Sequence, residues 1–215
     1  MNLNVDYTEK RIIITAFFCT AFIISNLITV KIINLNFIGM EVPAGVLIYP
    51  LVYILTNVIT DVYGEKAGSR TLLLGLGTDI LFVFMTTSLI WLPSPPWYTG
   101  DSSLAFIFTQ TPRILVASYI SYLIGNFVNV KLTAKLNEGK ESYSLVKNLG
   151  IIAISQLIDN ILFIGLAFIF TVPLIDVVIM IITHWIIVLI WSAIAEPFTG
   201  KLVGWAKKGE PSVTA

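Results

Sequence analysis

A helix needs about 20 apolar residues to cross the roughly 30 Å hydrocarbon core of a bilayer, and six stretches of that kind follow one another along this chain. They run from about Arg11 to Ile33, Val42 to Val62, Thr71 to Leu92, Ile114 to Val130, Leu149 to Val172 and Leu174 to Leu202. In lipid every backbone polar group must be paired internally, which leaves only helices and closed barrels. The alternation that marks a barrel strand is absent. The expected fold is therefore all-α, a bundle of six transmembrane helices. Residues 11–202 would form one membrane domain, with a short segment at 1–10 before it and a tail at 203–215 after it.

Charge supports the same conclusion. Only 12% of the residues are charged and 56% are hydrophobic, whereas soluble domains carry about 25% charged residues. So few ionisable groups cannot cover a water-facing surface. The formal net charge is zero, with no basic stripe of the kind nucleic-acid binding requires. The single cysteine, Cys19, has no partner for an internal disulfide and no metal-ligand spacing around it. The stretch from Met1 to Arg11 is polar and mixed in charge, unlike a signal peptide, so the first span is expected to be retained.

The basic residues set an orientation. If the N-terminus lies inside, Lys10, Arg11, Lys66, Arg70, Lys131, Lys135, Lys140, Lys147, Lys201, Lys207 and Lys208 all fall on the inner side. Only Lys31 and Arg113 fall elsewhere. Cytoplasmic loops concentrate Lys and Arg, so both termini are expected in the cytoplasm of a multi-pass plasma-membrane protein. The outer connections are a short stretch at Asn34 to Glu41 and a turn-rich loop from Pro93 to Ser103. Trp91, Trp97 and Tyr98 suit an interfacial aromatic belt. The run Ser102 to Thr109 is too short to span and either lies at the surface or re-enters. Pro173 leaves almost no joint between the last two spans.

Polar residues inside spans are costly and therefore face a cavity or a partner. In the second span, Tyr49, Tyr53, Asn57 and Asp61 recur every four residues and share a slowly drifting face. That face is either an interhelical seam or the wall of a polar cavity. Asp61 lies near the inner end, within reach of Arg70 as a pairing partner. In the fifth span, Gln156 and Asp159 stand one turn apart, flanked by Ser155 and Asn160. Asp159 sits near mid-span and is the first candidate for a binding group. Asp79 in the third span is expected to pair with Arg70 or with a neighbouring helix. Arg113 either snorkels to the interface or acts as a counter-ion to Asp159. His184, the single histidine, suits a proton relay or a hydrogen-bonded packing role. Glu196 precedes Pro197 near the inner end of the last span and reads as structural. Gly75 and Gly77 read as a helix-packing surface.

No nucleophile elbow, HExxH, phosphate-binding loop or paired Cys/His cluster occurs, so neither enzymatic activity nor a cofactor or metal is expected.

The run from Tyr49 to Gly64 (YPLVYILTNVITDVYG), followed by Arg70, resembles the signature of the YhhQ-type queuosine precursor transporters, also grouped as vitamin uptake transporters. Three further stretches resemble the family in order and spacing: Ser25-Asn26, Arg113 to Ser118 (RILVAS), and Ser155-Gln156-Leu157-Ile158-Asp159. Three positions depart from it. Asn57 and Asn129 stand where many members carry Asp, and Val188 stands near an expected lysine.

The resemblance implies uptake of a 7-deazaguanine such as preQ0 or preQ1 for tRNA modification. A guanine-like edge offers an N1–H and an exocyclic amine, and one carboxylate accepts both. On that reading Asp159 and Gln156 read the base edge, with Asn57 and Asp61 opposite. Arg113 is a counter-ion, Asn26 a polar contact, and Tyr53, Tyr119 or Trp185 a stacking surface. The expected substrate-binding set is Asp159, Gln156, Asn57, Asp61, Tyr53, Arg113, Asn26 and Trp185. A homodimer is expected, since six spans are few for a carrier. The alternatives are a substrate-capturing subunit that needs an energising partner and a structural membrane protein whose polar groups only join helices.

Overall fold

A computed structural model describes residues 6–28, 31–35, 40–108, 112–137, 144–168 and 173–208. Among the described residues seven α-helices dominate: α1 (Tyr7–Ile28), α2 (Tyr49–Tyr63), α3 (Glu65–Ile90), α4 (Asp101–Phe108), α5 (Pro112–Asn137), α6 (Leu145–Phe168) and α7 (Leu174–Lys207). Among the described residues, α1, α3, α6 and α7 each contain a stretch long and apolar enough to cross a membrane.

The distribution of side chains is that of a lipid-solvated protein. Phe17, Phe84, Leu89, Ile190 and Phe198 are exposed, whereas Asn57, Asn126, Asn129, Gln156 and Asp79 are buried. Lipid tails cover the apolar exterior at no cost in hydration, and the polar groups turn inward toward one another.

Two expectations are corrected. The stretch read as a plain outer connection at Asn34 to Glu41 belongs to an antiparallel hairpin, β1 (Ile32–Leu35) with β2 (Met40–Pro43), in register Ile32 to Pro43 and Leu35 to Met40. Residues 36–39 at its tip lie outside the described residues. The paired strands satisfy each other's backbone groups, so β structure is tolerated beside the bundle. The second span is also not one helix from Val42. A 3-10 turn, Ala44–Leu47, leads into an α2 of only 15 residues. Irregular backbone at membrane depth is tolerated where it is buried in protein or lines a cavity, and Ala44, Gly45 and Val46 are buried. Pro50 in the first turn of α2 removes an N–H that has no helical acceptor there.

Smaller differences follow from helix ends. The α1 helix stops at Ile28, five residues short of Ile33, while α7 continues to Lys207, past Leu202. The run Ser102 to Thr109 forms most of α4, which buries none of its residues and sets Phe108 edge-on to Phe82 of α3 at 6.0 Å. Thr109 and the joint at residues 169–172 lie outside the described residues.

Two glycines shape the bundle. Gly64 holds φ at +86°, the single positive φ among the described residues, and turns α2 directly into α3. Gly75 lets α3 close on α1 and α5, because a Cβ there would lie 2.4 Å from Phe18 Cε1 and 3.2 Å from the Tyr122 hydroxyl. Gly77, read alongside it, faces open space.

The ends of α1, α2 and α7 meet on one side. Tyr7 donates to Val62 O at 2.9 Å, and Tyr63 donates to Tyr7 O at 3.1 Å. Lys10 donates to Lys208 O and lies over the Trp205 ring. Lys207 Nζ stands 3.9 Å from Asp61.

Candidate binding cavity

The α5 and α6 helices share the most extensive contact in the bundle, and one glycine sets its spacing. A Cβ on Gly125 would lie 2.8 Å from Asp159 Cβ and 2.9 Å from the Tyr53 hydroxyl. The missing side chain lets α6 bring Asp159 against α5 and α2.

Above that contact a cavity of ≈ 70 Å³ opens toward α1, the 3-10 turn and α7. Its polar lining is Asn26, Tyr49, Ser118, Ser121, Asp159, Asn160 and His184, closed by Gly45, Val46 and Phe163. Five helices and the turn thus each contribute to one chamber.

Asp159 is its dominant charge. The residue is only 4% exposed, and the hydroxyls of Ser121 and Tyr49 face its carboxylate. Its Oδ1 has no hydrogen-bond partner among the described residues, and neither does Asn160 Nδ2. An unmade hydrogen bond at a buried polar atom costs about 1–3 kcal/mol, and more for a charged group. The chamber therefore presents an acceptor and a donor that a polar solute would satisfy.

The other residues expected at the site divide by location. Asn26 lines the cavity with Asp159. Gln156, one turn earlier on α6, is fully buried, and both its amide atoms lack partners among the described residues, but it does not line the chamber. Tyr53 is fully buried beside Gly125. Asn57 lies deeper along α2, where Asn129 Nδ2 and Thr133 Oγ1 of α5 both donate to its Oδ1. Asp61 sits at the end of α2 beside Lys207. Trp185 donates from Nε1 to Ala153 O at 2.9 Å and fastens α7 to α6. Arg113 belongs to the first turn of α5, and its side chain, like that of Glu196, lies outside the described residues. The four-residue stripe on α2 thus changes role along its length: cavity wall at Tyr49, interhelical seam at Asn57, ion pair at Asp61.

Tyr49 and Asn160 were visible in the sequence as polar residues of spans two and five without a place in the expected site. Ser118 was visible only within the RILVAS stretch. Ser121, Gly125 and Phe163 carry no sequence signal beyond helical spacing, and His184 reads first as a packing residue.

Residues 43–202 match the family described as "Putative vitamin uptake transporter". The chain belongs to the vitamin uptake transporter family. The chain is also 24% identical over 155 residues to the "Probable queuosine precursor transporter" of Bacillus subtilis (strain 168), a match that covers 71% of this chain and 67% of that protein. No solved structure matches it significantly. The matched region holds every lining residue of the cavity except Asn26. The chain is accordingly a multi-pass membrane protein.

Proposed function

We propose that the protein imports a queuosine precursor, a 7-deazaguanine such as preQ0 or preQ1, and that Asp159 is the group that reads its base edge. The observation that carries this reading is the buried Asp159 with its unpartnered Oδ1 in a chamber walled by five helices. A carboxylate accepts the N1–H and exocyclic amine of such a base together. The amide of Asn160, whose Nδ2 has no partner among the described residues, would donate to its carbonyl oxygen, and Tyr49 or Phe163 offers a ring face. The name of the Bacillus relative supports the same substrate class.

The cavity's ≈ 70 Å³ is well below the several hundred Å³ typical of sites that enclose an organic ligand. The conformation is therefore contracted, and admission of a bicyclic base requires the walls to part. The 3-10 turn at Gly45 and Val46 is the wall least tied by regular helix.

The topology we propose has six spans with both termini cytoplasmic. The α5 helix supplies one further crossing. The 15 residues of α2 rise about 22 Å, and the four residues of the 3-10 turn add about 8 Å, together matching the hydrocarbon core. Lys10, Arg11, Lys207 and Lys208 gather at the shared end of α1, α2 and α7, as expected of the cytoplasmic face. A homodimer remains part of this proposal.

Purified protein reconstituted alone in liposomes tests the reading. Uptake of radiolabelled preQ0 or preQ1, reduced at least tenfold by Asp159→Asn, supports an importer. Saturable binding without uptake would assign the chain as a capturing subunit of a larger transporter. Absence of both would exclude the deazaguanine reading.

A further inference from the structure

A second, smaller chamber of ≈ 30 Å³ lies on the other side of Asn26, between α1, α3, α4 and α5. Its polar lining is Asn26, Asp79, Thr86, Ser118 and Tyr119; the rest is apolar, with Phe82, Ile107 and Phe108. A space of this size holds a water or a small ion but no organic base.

Asp79 is 1% exposed. Asn26 Nδ2 donates to its Oδ2 at 3.0 Å. Its Oδ1 and the Tyr119 hydroxyl face each other but make no hydrogen bond of good geometry among the described residues. Among the described residues the ion pair of the bundle is Lys207–Asp61, and no described basic side chain lies within 4.0 Å of Asp79. Arg70 lies nine residues earlier on the same helix, about 13 Å away along the axis, and is exposed. A buried carboxylate without a cation is costly unless it is neutralised or accompanied. Thr86 Oγ1 donates to Phe82 O at 2.8 Å, which leaves its oxygen lone pairs available, so the acceptors at this chamber are Asp79 Oδ1 and the Thr86 and Tyr119 hydroxyl oxygens, with Ser118 beside them.

The position of Asn26 gives this chamber a consequence for the larger one, because Asn26 and Ser118 line both. An anionic Asp79 holds the Asn26 amide nitrogen toward itself. Neutralising Asp79 weakens that hydrogen bond and lowers the cost of turning the amide toward the Asp159 cavity.

We propose that the Asp79 chamber is a binding site for a small monovalent cation, linked to the Asp159 cavity through Asn26. The two cations that fit a single carboxylate with hydroxyl oxygens are a proton and sodium. The coupling half of the proposal rests on the transport reading above; the cation site itself does not. The titratable groups facing Asp79 are Tyr119 and Tyr122 of α5, with Cys19 of α1 beyond Tyr122; from α4 only Ile107 and Phe108 approach.

The test needs no organic solute. Melting of the purified full chain is compared in sodium chloride and in choline chloride at equal ionic strength and pH 8.5, and in choline chloride between pH 8.5 and pH 6. Sodium binding at tenfold excess over its dissociation constant raises the melting temperature by about 3–6 °C; proton binding gives a rise on acidification instead. Asp79→Asn, which mimics the neutralised carboxyl, abolishes the response and melts near the cation-loaded native protein. Tyr119→Phe, which keeps the packing, weakens the sodium response. Asp159→Asn leaves the sodium response in place and supplies the background in which the acid response is read, since Asp159 is itself a buried carboxyl. A sodium response that survives Asp79→Asn, an acid response that survives it in the Asp159→Asn background, or absence of any response in native protein overturns the site. If Asp79→Asn fails to fold, an unchanged sodium response in Tyr119→Phe, or a native response to neither cation, overturns it.

Coupling is read in proteoliposomes with radiolabelled preQ1. Asp79→Asn retains counterflow exchange but loses accumulation driven by the cation gradient. Equal accumulation in native and variant protein overturns the link, whereas no exchange in either indicts the substrate assignment and leaves the melting result standing.

Discussion

Asn129 donates from its side-chain nitrogen to the side-chain oxygen of Asn57, joining α5 to α2 across 72 residues of sequence. Thr133 donates to the same oxygen at 3.2 Å. These are the two positions where the family resemblance carries Asp, and the structure makes them one contact. Two carboxylates there would repel unless they shared a proton; two amides need none. The double departure is therefore a single change, from a pair that must manage charge to a neutral fastening.

That contact sets a first prediction. Asn57→Ala strands the Asn129 and Thr133 donors and costs about 1–3 kcal/mol. Asn129→Ala costs a similar amount, and the double variant costs less than the sum of the singles by at least about 0.5 kcal/mol. Denaturation of the four proteins in detergent checks the cycle. Additive costs would mean that the two side chains do not depend on each other.

A second prediction concerns Gly125. A methyl group there meets Asp159 Cβ and the Tyr53 hydroxyl, both closer than 3.0 Å. Gly125→Ala is expected to push α5 from α6 and to cost about 1–3 kcal/mol, with loss of preQ1 binding beyond what the melting shift explains. Gly77→Ala, which meets nothing within 4 Å, serves as its control and is expected to leave both unchanged.

Much of this architecture was legible in the chain because lipid imposes one rule on every span. The apolar runs located α1, α3, α6 and α7, and the isolated carboxylate at Asp159 marked a chamber. The hairpin and the 3-10 turn were not legible, since their pairing and burial come from tertiary contacts rather than periodicity. Partner choice was equally hidden. Asp79 meets Asn26 of α1, 53 residues away, the neighbouring-helix alternative to Arg70, and Asp61 meets Lys207 rather than Arg70. Ser121 and Phe163 became part of the site only through the way α5 and α6 pack.

A third prediction tests topology. Cys19 is the single cysteine, so Cys19→Ser gives a clean background. In that background Lys208→Cys is expected to react with a membrane-impermeant thiol reagent only from the cytoplasmic side, and Ser94→Cys only from outside. Labelling of both from the same side would rule out an arrangement with the Pro93 to Ser103 loop opposite the termini.

The central claim is that Asp159 binds the base edge of a 7-deazaguanine, and thermal stabilisation of the purified protein tests it most directly. PreQ0, preQ1, queuine and guanine are each added to native protein and to Asp159→Asn. At 100 times its dissociation constant a bound ligand contributes about 2.7 kcal/mol, a rise of several degrees for a chain of this size. The account predicts such a rise with at least one deazaguanine in native protein and none in Asp159→Asn. A native protein that melts cooperatively and responds to none of the four, or an Asp159→Asn variant stabilised as strongly as the native chain, would contradict it.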